Sequence, residues 1–290
     1  MPGLKDVKDK IEGVKKTSQI TKAMNMVASA KLRGAQDKME RFRPYNQKFA
    51  AAMSNLSGGM EAGNLPLMEV RDVQTAEIVV VTSDRGLCGS FNSHIVSTAE
   101  KLMKQYEAEG KKVSIVCVGK KGYQYFKKTG KVRTSYTDIM GTFQMFNARQ
   151  IATDVAENFM VGESDEVRIV YGKFYSVGIQ KPEVEELLPI KPLDSEESES
   201  AQISGAYTYE PEPGEIMEVL LPLYMNVQIY HAMLEVGASE HAARMTAMDN
   251  ATNACKDMIH DLTQLYNKAR QTAITSELMD IVGGAEALKG

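Results

Sequence analysis

The sequence predicts an α/β domain with a mostly parallel sheet, inserted between two terminal helices much longer than the domain. Three observations lead there. After Gly3, residues up to 57 hold no proline before Pro44 and glycine only at Gly13 and Gly34. Residues 215–282 are interrupted only by Pro222 and Gly237. Between them, β-branched runs alternate with helical patterns, the order of a parallel sheet with crossover helices.

The first helix spans 1–57. Leu4, Val7, Ile11 and Val14 step by three and four, and Ala35, Met39, Phe42, Phe49 and Met53 resume that rhythm. This is coiled-coil seam spacing. The stripe drifts through Ile20, Met24 and Val27, so the heptad phase is not continuous. Pro44 removes a backbone donor and should kink the helix; Ser57-Gly58-Gly59 should end it. At full length it measures roughly 80 Å, too long for burial in a compact domain.

The inserted domain spans 75–210. Glu77 to Thr82 and Val113 to Val118 read as buried strands, being continuous and β-branched. Val132 to Tyr136 and Glu166 to Tyr171 add two more, and Val184 to Ile190 an edge hairpin. Helical patterns cover Phe91 to Glu109, Gly119 to Lys128 and Phe143 to Met160. Ser195 to Ser204 is acidic and serine-rich, the composition of a mobile loop. The second long helix spans 214–283. Its seam runs from Leu220 to Thr272, weakened midway by Gly237, His241 and Arg244. Gly283-Gly284 should end it, leaving 284–290 as an apolar tail. The inserted domain brings the two ends together, so the helices are expected to pair as an antiparallel coiled coil.

Composition narrows the function. Hydrophobic residues make 43% and charged residues 25%, which excludes a disordered or collagen-like chain. Eighteen methionines and no tryptophan suit long helices better than a β-sandwich. No apolar run reaches the about 18 residues of a membrane span, and Asp6, Asp9 and Glu12 argue against a transit peptide. Cys88, Cys117 and Cys255 form no CxxC pair, so free thiols in a reducing compartment are expected. Charge is uneven: net +7 over residues 1–57 and −10 over 183–218. The basic stretch lacks a nucleic-acid reader motif and stacking aromatics, so a solvated helix face or attraction to acidic protein partners is expected rather than DNA or RNA.

The turn Ser83-Asp84-Arg85-Gly86-Leu87-Cys88-Gly89 lies between a strand and a helix. Such a loop can offer amides to phosphate, but its glycine spacing fits neither phosphate fingerprint. It reads as a tight βα turn. Cys88 sits where a helix N-terminus lowers a thiol pKa, yet no histidine is assigned beside it. No catalytic, cofactor or metal site is expected.

Five segments resemble a known family. Ile20 to Ala28 (ITKAMNMVA) is similar to the N-terminal helix of the γ subunits of F-type ATP synthases. Ser239 to Met248 (SEHAARMTAM) and Tyr266 to Leu278 (YNKARQTAITSEL) are similar to their C-terminal helix. Ser83 to Gly89 resembles the first turn of their Rossmann-like central domain, and Tyr207 to Pro213 the junction into the last helix. The likeness runs collinearly along the whole chain.

The resemblance implies a rotor shaft without an active site of its own. The coiled coil enters an α3β3 hexamer, one copy per complex. The central domain meets the ε subunit and the c-ring of the membrane sector. Ion-driven rotation is thereby coupled to the β catalytic sites for ATP synthesis, or hydrolysis to pumping. Residue by residue, it implies contacts to β from Arg244, Arg270, Gln271, Thr275 and Met24. It places Tyr207 and Glu210 on the ε and c-ring side. It implies a bacterial protein peripheral to the inner membrane on the cytoplasmic side. Two other readings compete: an enzyme using the glycine turn, and a self-pairing coiled-coil scaffold or nucleic-acid binder.

Overall fold

The computed structural model describes residues 4–57, 65–191, 210 and 213–287. The elements in order are α1 (Leu4–Ser57), β1 (Thr75–Val81), α2 (Phe91–Ala108), β2 (Lys112–Val118), α3 (Lys120–Phe126), β3 (Val132–Tyr136), α4 (Met145–Met160), β4 (Glu166–Ser176), β5 (Ile179–Leu188) and α5 (Pro213–Ala287). Short 3-10 turns occupy Pro66–Met68 and Lys127–Thr129. Two compact units result: one formed by residues 29–244, the other by the helical segments before 29 and after 244.

Within the larger unit, the sheet order is β3-β2-β1-β4-β5. The first four strands are parallel, and β5 is antiparallel to β4 at the edge. The order reverses between β1 and β4, a topological switch point. Ala76 to Val81 are all buried, because β1 is central and covered on both faces. The chain moves outward through α2 and α3, then returns across the sheet through α4. Right-handed crossovers in opposite directions put α4 on the other face. α2 buries Ile95, Ala99, Met103 and Tyr106 at steps of three and four. α4 starts at Met145 rather than Phe143, its first turn fixed by Asn147 Oδ1 accepting the Gln144 N–H (3.0 Å).

The long helices are antiparallel within each unit. In the larger one, Phe42 meets Tyr230 edge-on at 5.0 Å, and Phe49 stacks on Tyr224 at 6.2 Å. As α1 advances, its partner on α5 recedes. In the smaller unit the hydroxyls of Thr21 and Thr252 lie 2.7 Å apart, and Asn25 Nδ2 donates to the Met245 carbonyl (2.8 Å).

α1 and α5 each run on as one helix past Pro44 and Pro222. The structure differs from expectation at three places. α5 continues through Gly283-Gly284, since neither adopts the left-handed conformation of a C-cap. β4 and β5 are longer than predicted and form one antiparallel ribbon. The weakened middle of the second seam is the most buried part of α5: every residue from His231 to Glu240 is buried. Gly237 faces the Phe143 ring there, where a Cβ would make an ordinary contact at 3.4 Å. Gly58 and Gly59, the acidic stretch 195–204 and Tyr207 lie outside the described residues.

Candidate functional site

In a doubly wound sheet, ligands bind outside the carboxyl ends of the strands at the switch point. Here that crevice receives α5. Ser239 Oγ donates to the Gly172 carbonyl on β4 (3.0 Å). Glu235 Oε2 accepts the Phe174 N–H (2.8 Å). On the opposite wall, the Arg244 guanidinium donates to the Gly86 carbonyl through Nη2 (3.0 Å) and Nε (3.3 Å), and pairs with Glu240 on its own helix. Glu235, Ser239 and Glu240 are all buried.

The electrostatics follow from that burial. Desolvation alone would raise the Glu235 carboxyl; bonds from His231, the Phe174 amide and Arg43 outweigh it and hold its pKa below the ordinary value. For Glu240, desolvation wins over the adjacent Arg244 and the pKa rises. His241 is pushed down to about 4, first by burial and then by the cations Arg244, Lys31 and Arg85.

The glycine turn is built as scaffold. Asn92 Oδ1 accepts the Ser83 N–H (3.0 Å). The Asp84 carboxylate accepts the backbone N–H groups of Lys120, Asp138 and Met140 at 2.8–2.9 Å, tying three loops together. The turn presents the Gly86 carbonyl to a cation. Leu87 takes a φ of 63° while 64% exposed. Cys88 is buried, and desolvation pushes its thiol above the ordinary value, opposite to the direction a helix N-terminus suggests.

The residues expected to meet partners separate. Arg270, Gln271 and Thr275 lie on the exposed end of α5, with Thr275 Oγ1 donating to the Gln271 carbonyl (2.8 Å). Met24 is half-buried in the same unit. Glu210 is exposed. Arg244 belongs to the larger unit and is engaged by Glu240 and Gly86.

Sequence reasoning missed Glu235, Ser239, Glu240 and Arg43. One signal was present: residues 219–243 contain no lysine or arginine. A helix with a solvated face normally carries them. Their absence over 25 residues marks a helix enclosed on most sides.

Comparison with known proteins agrees with this geometry. Residues 3–288 match a family model described as ATP synthase, which sets the class. A protein of Desulfotalea psychrophila named ATP synthase gamma chain is 66% identical, both chains being covered in full. Its namesake in Nitratidesulfovibrio vulgaris is 54% identical over the full length of both. A chain of the Tetrahymena thermophila mitochondrial ATP synthase central stalk and c-ring superposes with TM-score 0.61 at 26% identity, covering 80% of this chain and 99% of that one. One from the Euglena gracilis mitochondrial ATP synthase, 22% identical, superposes with TM-score 0.69 over 98% and 94% of the two chains. The chain belongs to the ATP synthase family, among its gamma chains.

Proposed function

We propose that the chain is the rotating central shaft of a bacterial ATP synthase. The paired ends of α1 and α5 enter a ring of three α and three β subunits. The sheet domain meets the ε subunit and the c-ring, with Tyr207 and Glu210 on that side. One copy serves each complex, peripheral to the inner membrane on its cytoplasmic face and reaching the membrane only through the c-ring. Rotation presents a different side of the shaft to each β subunit and stabilises one β conformation at a time. The chain itself makes and breaks no bonds.

One observation carries this reading. Every residue of α5 from Ile274 to Ala285 is exposed, including Ile274, Leu278, Met279, Ile281 and Val282. A contiguous apolar helix surface in water marks a protein interface. Arg270 and Gln271 precede it, and an arginine fork suits a partner carboxylate. Thr275 and Met24 complete the contact set. Arg244 is assigned a positioning role, since its donors already serve Gly86 and Glu240. The full-length likeness to the Desulfotalea psychrophila gamma chain, and the likeness of 80% of this chain to a central-stalk chain, support the same reading.

The test is reconstitution with α and β subunits, followed by size exclusion and ATPase assay. Expected is one copy per α3β3, with activity reduced when Arg270 and Gln271 are both changed to alanine. Failure to join any α/β hexamer, together with nucleotide turnover by the chain alone, overturns the proposal.

A further inference from the structure

β4 outruns its neighbour. Its pairing with β1 ends at Val80 opposite Val170, yet it continues to Ser176. On its other side it stays paired with β5 through to Ser176 opposite Ile179. Over residues 172–174, therefore, β4 has a strand on one edge only. Unpaired strand edges in a folded protein need another partner for their N–H and C=O groups.

Side chains of the two long helices supply it. The Phe174 N–H donates to Glu235 Oε2 (2.8 Å), and the Phe174 carbonyl accepts from Arg43 Nη2 (3.0 Å). The Gly172 carbonyl accepts Ser239 Oγ (3.0 Å). Arg43 also grips the second Glu235 oxygen through Nε and Nη2 (3.0 and 2.9 Å), and His231 Nε2 lies 3.3 Å from it. An acceptor and a donor held together and aimed at both groups of one residue reproduce what a residue of a neighbouring strand offers. On its other side Gly172 lets α2 pack closely, since a Cβ there would lie 2.4 Å from the Phe91 ring.

Apolar residues in their place would leave these backbone groups buried without partners. What the polar set adds is direction. The packing of Met225, Ile229, Met233 and Val236 is non-directional and tolerates a helix that turns or slips. Hydrogen bonds weaken steeply once misaligned.

We infer that Glu235, Arg43 and Ser239 are positioning residues that lock the rotational setting of α5 and α1 against β4, and that torque between sheet and helices passes through this strand-mimicking bond set. The inference rests on the shaft reading. It adds the residues that carry the torque and the strand they grip.

The experiment uses the assembled α3β3 complex with a bead attached to the sheet domain. ATP-driven rotation and the angular spread of the bead at each dwell are recorded. Glu235→Gln combined with Ser239→Ala is expected to widen the angular variance about twofold, because the amide cannot satisfy Arg43 and Phe174 together and Ser239 no longer bonds Gly172. Hydrolysis without load should stay unchanged, while ATP-driven ion pumping by the complete membrane complex falls. A Leu221→Ala control, which loosens the same helix through apolar packing, should lower the melting temperature without widening the variance. Ser239→Ala alone removes one neutral bond and keeps the test available if the double variant does not fold; its variance should also rise. Unchanged variance and pumping in these variants overturn the inference. Failure of the unsubstituted chain to assemble or rotate overturns the shaft reading instead.

Discussion

His241 shows how one residue ties the larger unit to pH. It lies half-buried on α5 among Arg244, Lys31 and Arg85, with its Nδ1 3.5 Å from an Arg244 nitrogen. Burial and three cations oppose a fourth charge, so its pKa falls from 6.5 to about 4. The unfolded chain therefore takes up a proton near pH 6.5 that the folded chain resists until about pH 4. The stability tied to this group is fully present above pH 6.5 and is lost as pH falls through that window. His241→Gln has no proton to bind. Urea unfolding at pH 7 and pH 4 should show the variant losing less stability than the parent, by on the order of 2 kcal/mol after allowance for solvent screening. Equal losses in the two proteins would show that His241 is solvated in the folded state.

At the scale of elements, α5 combines an enclosed segment and an unpartnered one on one continuous helix. His231 to Glu240 are buried on every side, whereas Ile274 to Ala285 are exposed on every side. Helices draw most of their stability from packing, and each glycine in a helix interior costs about 1 kcal/mol relative to alanine. The end carrying Gly283 and Gly284 should therefore open readily in the isolated chain. Amide hydrogen exchange should show little protection from Ile274 onward and strong protection over 231–240. Assembly with α and β should raise protection at the end alone. High protection there before assembly would mean that the apolar surface already has a cover within the chain. The sequence foretold this exposed end only in part. Three-and-four spacing located both helices, and β-branched runs located β1 and β2, because each buries one stripe or most of a strand. The same spacing misread Gly237, His241 and Arg244 as weak points of a seam. A two-helix pattern has no place for a third contact surface, and at that level α5 meets both α1 and the sheet edge. Glu235 and Ser239 were missed for the same reason: their partners are backbone groups of Gly172 and Phe174, which leave no trace in side-chain periodicity.

For the whole molecule, the decisive point is what occupies the switch point. A parallel sheet with a glycine turn after β1 is the architecture of many nucleotide-binding proteins, and fold alone does not separate them from this one. Occupancy does. The turn that would cradle a phosphate points its Gly86 carbonyl at Arg244. The strand ends that would border a ligand are bonded to Ser239 and Glu235. A nucleotide entering here would have to displace α5, breaking the bonds of buried Glu235 to Arg43 and to the Phe174 N–H and exposing the apolar stripe of Met225, Ile229 and Met233. Removing one partner of a buried ion pair costs about 3–5 kcal/mol, and the Arg43–Glu235 pair ties this helix to α1. That penalty would cancel roughly half of the binding energy of a micromolar ligand, about 8 kcal/mol. Titration calorimetry of the isolated chain with ATP and ADP should therefore show no binding in the micromolar range. Saturable micromolar binding that persists in a Gly86→Ala variant would place a nucleotide elsewhere on the chain. Binding lost in that variant would mean the crevice opens, and the shaft would then carry a ligand-controlled joint at the point where its helix meets the sheet.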